Sequence, residues 1–260
     1  MTVEDARPEL PGAFAGLIPL SIGGTRPGPR SGFVFDPHRL ALPAWALLLA
    51  PAQRPALLVT LDRHLDLVPP RECPPPGLDA LALDEWARRR LDPRNFDHVL
   101  AAMAAGLVGD AVVIARTRLP GVVTAPEWVD PSGVRHRLAI VPTVAALSDD
   151  FGTPRESPQA RDVARWLAEA PATLLDVDLD CFTSPNDAEP TEALRWPPEA
   201  IAEHLLPHGS GPFWDAVLGR CAGLTVAREP GHCGGLVSAG RLFEDVARAL
   251  FVDLLGGGLP

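Results

Sequence analysis

The chain is predicted to be a three-layer α/β/α protein with a mostly parallel central sheet. Short apolar strands alternate with segments of helical period along most of its length. The strands are continuous apolar runs rather than alternating ones, which implies that both faces of the sheet are covered. Acidic and imidazole side chains cluster directly after two of those strands, and in parallel sheets sites form at the carboxyl ends of strands. With 260 residues, 47% of them hydrophobic, the chain can bury a large core. One domain over residues 1–260 is expected, opening with an irregular Pro- and Gly-rich segment over 1–30.

Gly32-Phe33-Val34-Phe35 reads as the first strand. His38 to Leu49 has helical spacing through Leu40, Leu42, Trp45, Leu48 and Leu49, interrupted early by Pro43. Pro55 to Leu61 is a buried strand, and the proline cluster in 69–77 is a loop. Asp79 to Leu91 reads as a helix with Asp79 as its N-cap, and Asn95 to Leu107 as another. Ala111 to Ala115 is a strand, 117–137 a long polar connection, and Leu138 to Val141 a further strand. The helix Ser157 to Glu169 leads into the strand Ala172 to Leu175. A Pro-rich loop over 183–198 precedes helices at 198–206 and 212–221. Leu224 to Ala227 is the last strand, and Ala239 to Leu255 the closing helix.

The formal net charge of −10 disfavours a nucleic-acid or anionic-membrane partner and suits a cationic substrate. Every basic side chain apart from histidine is Arg, and there is no Tyr. Cys73, Cys181, Cys221 and Cys233 lack zinc-knuckle spacing and do not read as a disulfide framework. The longest apolar stretch, Leu40 to Ala52, is too short to span a bilayer, and no secretory leader is visible. A cytoplasmic protein is expected.

The chemistry concentrates in Asp62-Arg63-His64-Leu65-Asp66 and Asp176-Val177-Asp178-Leu179-Asp180. Carboxylates and an imidazole at the ends of apolar strands are costly unless they are paired or ligate metal. In extended backbone Asp62, His64 and Asp66 project to one side, and Asp176 and Asp178 repeat the pattern from another strand. Hard oxygen ligands with few imidazoles suit Mn²⁺ or Mg²⁺-like ions better than a thiolate zinc site.

Asp62-x-His64-x-Asp66 resembles the D-x-H-x-D motif of the arginase-type ureohydrolases, and Asp176-Val-Asp178 resembles their second D-x-D motif. The resemblance implies an arginase/deacetylase-like fold holding two Mn²⁺ ions. It also implies an early His ligand, a slot that His38 fits, following Phe33-Val34-Phe35-Asp36. On that pattern Asp62 and Asp176 would bridge the ions, His38 and Asp66 would complete one site, and His64 and Asp178 the other. The ions would activate a water to attack a guanidinium carbon, giving urea and an amine. The run from His38 to Trp45 looks more like the peptide-arginase branch, which converts arginine to ornithine within peptides. The substrate expected is therefore an arginine-containing peptide. Two departures stand out. Asp176-x-Asp178-x-Asp180 replaces D-x-D-x-x-D-P, so Asp180 is either a ligand or an acceptor behind one, and the Gly-Gly-Asp-His signature is absent around His38.

Catalytic candidates beyond the metal ligands are Asp180, His98 and His232. Either imidazole could protonate the leaving amine. His98 also reads as a solvated helix-start histidine, whereas His232 falls just past the last strand. Glu229, in the same place, could take a guanidinium in a forked pair, and Asn95 could line the pocket. Metal-dependent deacetylases share the architecture, but they use a His-His pair and a Tyr that this chain lacks. Hydrolysis of another guanidino or amidino compound stays open, as does a non-catalytic, metal-stabilised peptide-binding role.

Overall fold

Ala56–Leu61 is buried at every position and pairs in parallel on both sides, which places it at the centre of an eight-stranded sheet. The computed structural model describes residues 14–25, 27–118, 120–185 and 193–258. In chain order the elements are β1 (Ile18–Ser21), β2 (Ser31–Phe35), α1 (Ala41–Leu48), β3 (Ala56–Leu61), α2 (Ala80–Arg90) and α3 (His98–Ala104). Then come β4 (Val108–Ile114), β5 (Glu127–Val129), β6 (Arg135–Val141), α4 (Ala145–Ser148), α5 (Pro158–Glu169) and β7 (Thr173–Asp178). The chain continues with β8 (Thr183–Pro185), β9 (Ala193–Arg195), α6 (Pro198–Leu205), α7 (Gly211–Leu218), β10 (Cys221–Ala227) and α8 (Leu236–Ala247). The sheet order is β1-β2-β10-β7-β3-β4-β6-β5, parallel except at its two edges, where β1 and β5 run antiparallel to their neighbours.

The pleat divides the core. Leu57, Val59 and Leu61 of β3 face one layer with Val163, Phe213 and Val246 from α5, α7 and α8. Ala56 and Leu58 face the other, with Trp45, Leu83 and Leu100 from α1, α2 and α3. The expected three-layer α/β/α architecture with a mostly parallel sheet is the one observed. From β3 the chain moves outward to β4, whereas from β7 it moves to β10 on the opposite side. The crevice between the carboxyl ends of β3 and β7 is therefore a topological switch point, where ligands enter such sheets.

Local signals act as expected in places. The Asp79 side chain accepts from Ala82 N and caps α2, and Pro43 lies in the first turn of α1, where the missing N–H costs nothing. Elsewhere tertiary pairing decides. The 1–30 segment holds the edge strand β1, and the polar connection holds β5, which pairs with a β6 that begins at Arg135. The Pro-rich stretch carries β8 and β9, which pair with each other, while 186–192 lies outside the described residues. The third helix starts at His98 because Asn95 adopts a left-handed backbone, φ 66°. The closing helix starts at Leu236 and widens into a π-helix over Arg248–Leu254. None of the helices among the described residues is long and apolar enough to cross a membrane.

Candidate metal centre

β7 remains extended through Asp178, so Asp176 and Asp178 belong to the strand itself and point to the same face as Leu174, towards the α1–α3 layer. The 3-10 turn Leu179–Phe182 then folds Asp180 over the strand end, with Asp180 N donating to Asp178 Oδ1 at 2.9 Å. Asp62 leaves β3 beside it, and its Oδ1 accepts from His64 N at 2.7 Å. Asp66 turns back through a left-handed conformation, φ 45°. His38 opens a 3-10 turn after β2, and its ring is wholly buried.

These side chains converge. His38 Nδ1 lies 2.9 Å from Asp178 Oδ2 and 3.5 Å from both Asp62 Oδ2 and Asp66 Oδ2. His64 Nδ1 lies 3.1 Å from Asp180 Oδ2 and 3.9 Å from Asp62 Oδ1. The ligand atoms of His38, Asp62 and Asp178 fall within 4.8 Å of one another, and so do those of Asp62, His64 and Asp180. The two groups share Asp62. His38 Nδ1 and Asp180 Oδ2 are buried with no hydrogen bond, although each has polar neighbours within reach. Buried polar atoms without hydrogen bonds are rare, and atoms aimed at a common centre are what cation ligands look like. The donor set of carboxylates and imidazoles fits hard or borderline divalent ions.

The electrostatics agree. Burial, reinforced by neighbouring carboxylates, pushes Asp62 and Asp178 well above the usual carboxylate range. Burial would lower His38, but Asp176 and Asp178 outweigh it and raise the imidazole. In Asp180 burial is outweighed by His64 and Arg63, and its carboxyl is held low. Crowded carboxylates of this kind are relieved by a cation, which also displaces protons from its ligands.

Asp176 stands apart. It is in register with Thr60 on one side and Thr225 on the other. Oδ1 accepts from Thr225 Oγ1 at 2.5 Å, while Oδ2 accepts from Thr60 Oγ1 at 2.9 Å and meets His38 Nε2 at 2.8 Å. Both oxygens are thus engaged within the protein, and Asp176 fixes the ring of His38. Trp45 Nε1 donates to Thr225 Oγ1 at 3.0 Å, tying this arrangement to α1. Thr60, Thr225 and Trp45 were not among the site residues expected from sequence. A hydroxyl inside each of two otherwise apolar strands was the signal available.

Glu229 follows β10 in a left-handed conformation, φ 37°, and its Oε1 accepts from His38 N and Asn95 Nδ2. Burial raises its carboxyl. Asn95 therefore orients Glu229 from α3's side. His232 is half-exposed, with Nε2 3.7 Å from Glu229 Oε2 and its ring 6.1 Å from that of His64. His98 is fully buried behind His38, ring centroids 4.1 Å apart, and Nδ1 donates to Asn95 O. It is not solvated. His64, Asp66, Asp178, Glu229 and His232 line a cleft of about 700 Å³. The structure thus gathers His38, Asp62, His64, Asp66, Asp178 and Asp180 in one cluster, with Glu229 and His232 at its open side.

A second imidazole lies behind Asp180. His204 Nε2 is 3.7 Å from Cys181 Sγ, against the rings of Trp196 and Phe182. Burial, aided by the Arg116 charge, lowers its pKa from 6.5 to about 4. Between those values the unfolded chain holds a proton that the folded protein does not, so stability falls as the pH drops through that window. Replacing His204→Gln is expected to flatten the acid-side loss of Tm by the equivalent of roughly 1–3 kcal/mol. An unchanged slope in thermal melts from pH 7 to 4 would contradict this.

No protein-family model matches the chain, and no curated protein matches it. Among solved structures, it is similar to an arginase from Bacillus subtilis at 15% identity and a TM-score of 0.44, over 87% of this chain and 71% of that one. It is also similar to a hypothetical agmatinase from Burkholderia thailandensis at 14% identity and a TM-score of 0.39, over 86% of this chain and 59% of that one.

Proposed function

We propose that this protein is a binuclear metal hydrolase that cleaves a guanidinium group, releasing urea and an amine, with arginine in a peptide as substrate. The observation that carries the reading is the pair of ligand groups sharing Asp62 at the switch-point crevice. In this reading His38, Asp62, Asp66 and Asp178 would hold one ion, and Asp62, His64 and Asp180 the other. Asp178 and Asp180, rather than Asp176 and Asp178, would then be the ligands from the second motif, and Asp176 orients His38. Mn²⁺ is the ion proposed. When bound, the ions supply a water activated near neutral pH.

The chain's own residues supply the rest. Glu229, held by His38 N and Asn95, presents its second oxygen to the cleft, where it can accept guanidinium N–H groups. His232 reaches the same cleft with an accessible imidazole, placed to give the leaving amine its proton. The chelator-stripped protein, reloaded with Mn²⁺, Fe²⁺ or Co²⁺, is expected to release urea from an arginine-containing peptide, and to release none before reloading. Urea from free arginine but not from peptides would overturn the substrate assignment. No urea from peptide, free arginine, agmatine or 4-guanidinobutyrate with any of these ions would overturn the reaction.

A further inference from the structure

The cleft has two unlike walls. Its floor is acidic, with Asp66, Asp178 and Glu229, as a guanidinium requires. Its outer wall is rich in arginine: Arg71, Arg88, Arg89, Arg90 and Arg94 line it, with Asp92 and Asp97 among them. Five of the chain's 23 basic side chains therefore gather at one opening of a molecule whose net charge is −10. A cationic substrate alone gives no reason for so many guanidinium groups at one opening.

Not all five are free for a ligand. Arg88 is committed to Asp84, at 2.7 Å, and to Ala15 O. Arg89, Arg90 and Arg94 are more exposed than Arg88. Arg89 pairs with Glu85, its side chain 72% exposed, and Arg94, 71% exposed, donates to both oxygens of Asp92 and lies over the Phe96 ring. Arg90 pairs with Glu72, both exposed, and Arg71 makes no ion pair among the described residues. Exposed pairs such as Arg89–Glu85 and Arg90–Glu72 contribute little, so an incoming carboxylate can exchange into them. Pro69, Pro93 and Phe96 line the same cleft and give it apolar footing for a backbone.

Building on the function just proposed, we infer that the cleft takes an arginine carried in an acidic peptide segment, its guanidinium on the floor and its flanking carboxylates on the arginine wall. The width of the wall favours a peptide over a small guanidino acid: Arg71 and Arg94 come from separate loops and Arg89 and Arg90 from α2, more than one carboxylate can occupy. Nucleic acid fits worse, because a molecule of net charge −10 repels a continuous phosphate backbone.

The test uses short peptides with a central arginine flanked by glutamate, glutamine or lysine. With the Mn²⁺-loaded protein at low ionic strength, the glutamate peptide is expected to show a KM about 10-fold below that of the glutamine peptide, the gap closing in about 0.5 M salt. A second arm reads the wall without any reaction. Labelled peptides with citrulline in place of arginine are titrated against the protein by fluorescence anisotropy. The glutamate version is expected to bind about 10-fold more tightly than the glutamine version, and Arg71→Ala/Arg89→Ala/Arg94→Ala to remove the difference. Equal KM values and equal affinities, or a single-stranded oligonucleotide bound more tightly than the glutamate peptide, would overturn the inference. Absence of urea from every peptide, with the anisotropy difference intact, would overturn the hydrolase reading and leave the acidic-peptide wall standing.

Discussion

Asp62→Asn is expected to lower metal content from about two ions per chain to below one, and to reduce urea release by ~10³-fold or more, on the scale of losing a metal-activated water. Asp62 is shared by both ligand groups, so no other single side chain joins the two halves in the same way. Its Oδ2 faces His38 Nδ1 at 3.5 Å, and its Oδ1 faces His64. The amide keeps the shape of the side chain and removes its charge, so the loss reports ligation rather than collapse. The same charge is a liability without ions, because burial and the neighbouring carboxylates oppose ionisation of Asp62. The metal-free variant should therefore melt at a higher temperature than the metal-free parent, and added Mn²⁺ should raise the parent's Tm more than the variant's. Asp176→Asn is the contrasting change. Its carboxylate is already taken by Thr60, Thr225 and His38, so about a 10- to 100-fold loss with both ions retained is expected, as for other groups that orient a ligand. Elemental analysis and urea assays on the two variants separate these outcomes. Full metal and full activity in Asp62→Asn would remove the binuclear centre from consideration.

Glu229→Gln is expected to raise KM for the guanidinium substrate by about 10- to 100-fold while leaving metal content and the thermal shift on metal binding unchanged. A hydrogen bond to a charged partner is worth about 1.5–3 kcal/mol, which sets that range. Glutamine preserves the acceptor that receives His38 N and the Asn95 amide, so the surrounding loop should keep its form. What is lost is the charge facing the cleft. Asn95→Ala should reproduce part of the effect, since it releases the oxygen that Asn95 holds. A KM equal to that of the parent would show that the guanidinium is held elsewhere. A loss of metal would show that Glu229 belongs with the ligands, as its proximity to Asp180 and His232 allows.

Much of the architecture was legible because it depends on local pattern. Leu57 to Val59 and Leu174 to Leu175 are continuous apolar runs, and such runs are stable as strands only when covered on both sides. Asp79 announces the start of α2 by its own capping bond. The edge strands β1 and β5 were illegible for the opposite reason. They are only four and three residues long, with Pro19 inside β1, and they are strands only because β2 and β6 offer them open backbone groups. Asn95 and Glu229 show a related gap. Both take left-handed backbones, which Asn adopts more readily than most residues and Glu rarely does, and those turns allow one side chain to hold the other.

Residue type and spacing were enough to establish that carboxylates and imidazoles would gather at strand ends, because alternation along a strand and the cost of burying charge are properties of short stretches of chain. The part each carboxylate takes was decided by the assembled sheet. Asp176 and Asp178 are two residues apart on one face of one strand. Only the parallel register that sets Thr60 and Thr225 on either side of Asp176 turns it inward as a hydrogen-bonded support for His38, while Asp178 and Asp180 are left with oxygens facing the common centre. Such a division depends on which hydroxyl or N–H lies across from each oxygen, and those neighbours come from strands dozens of residues away.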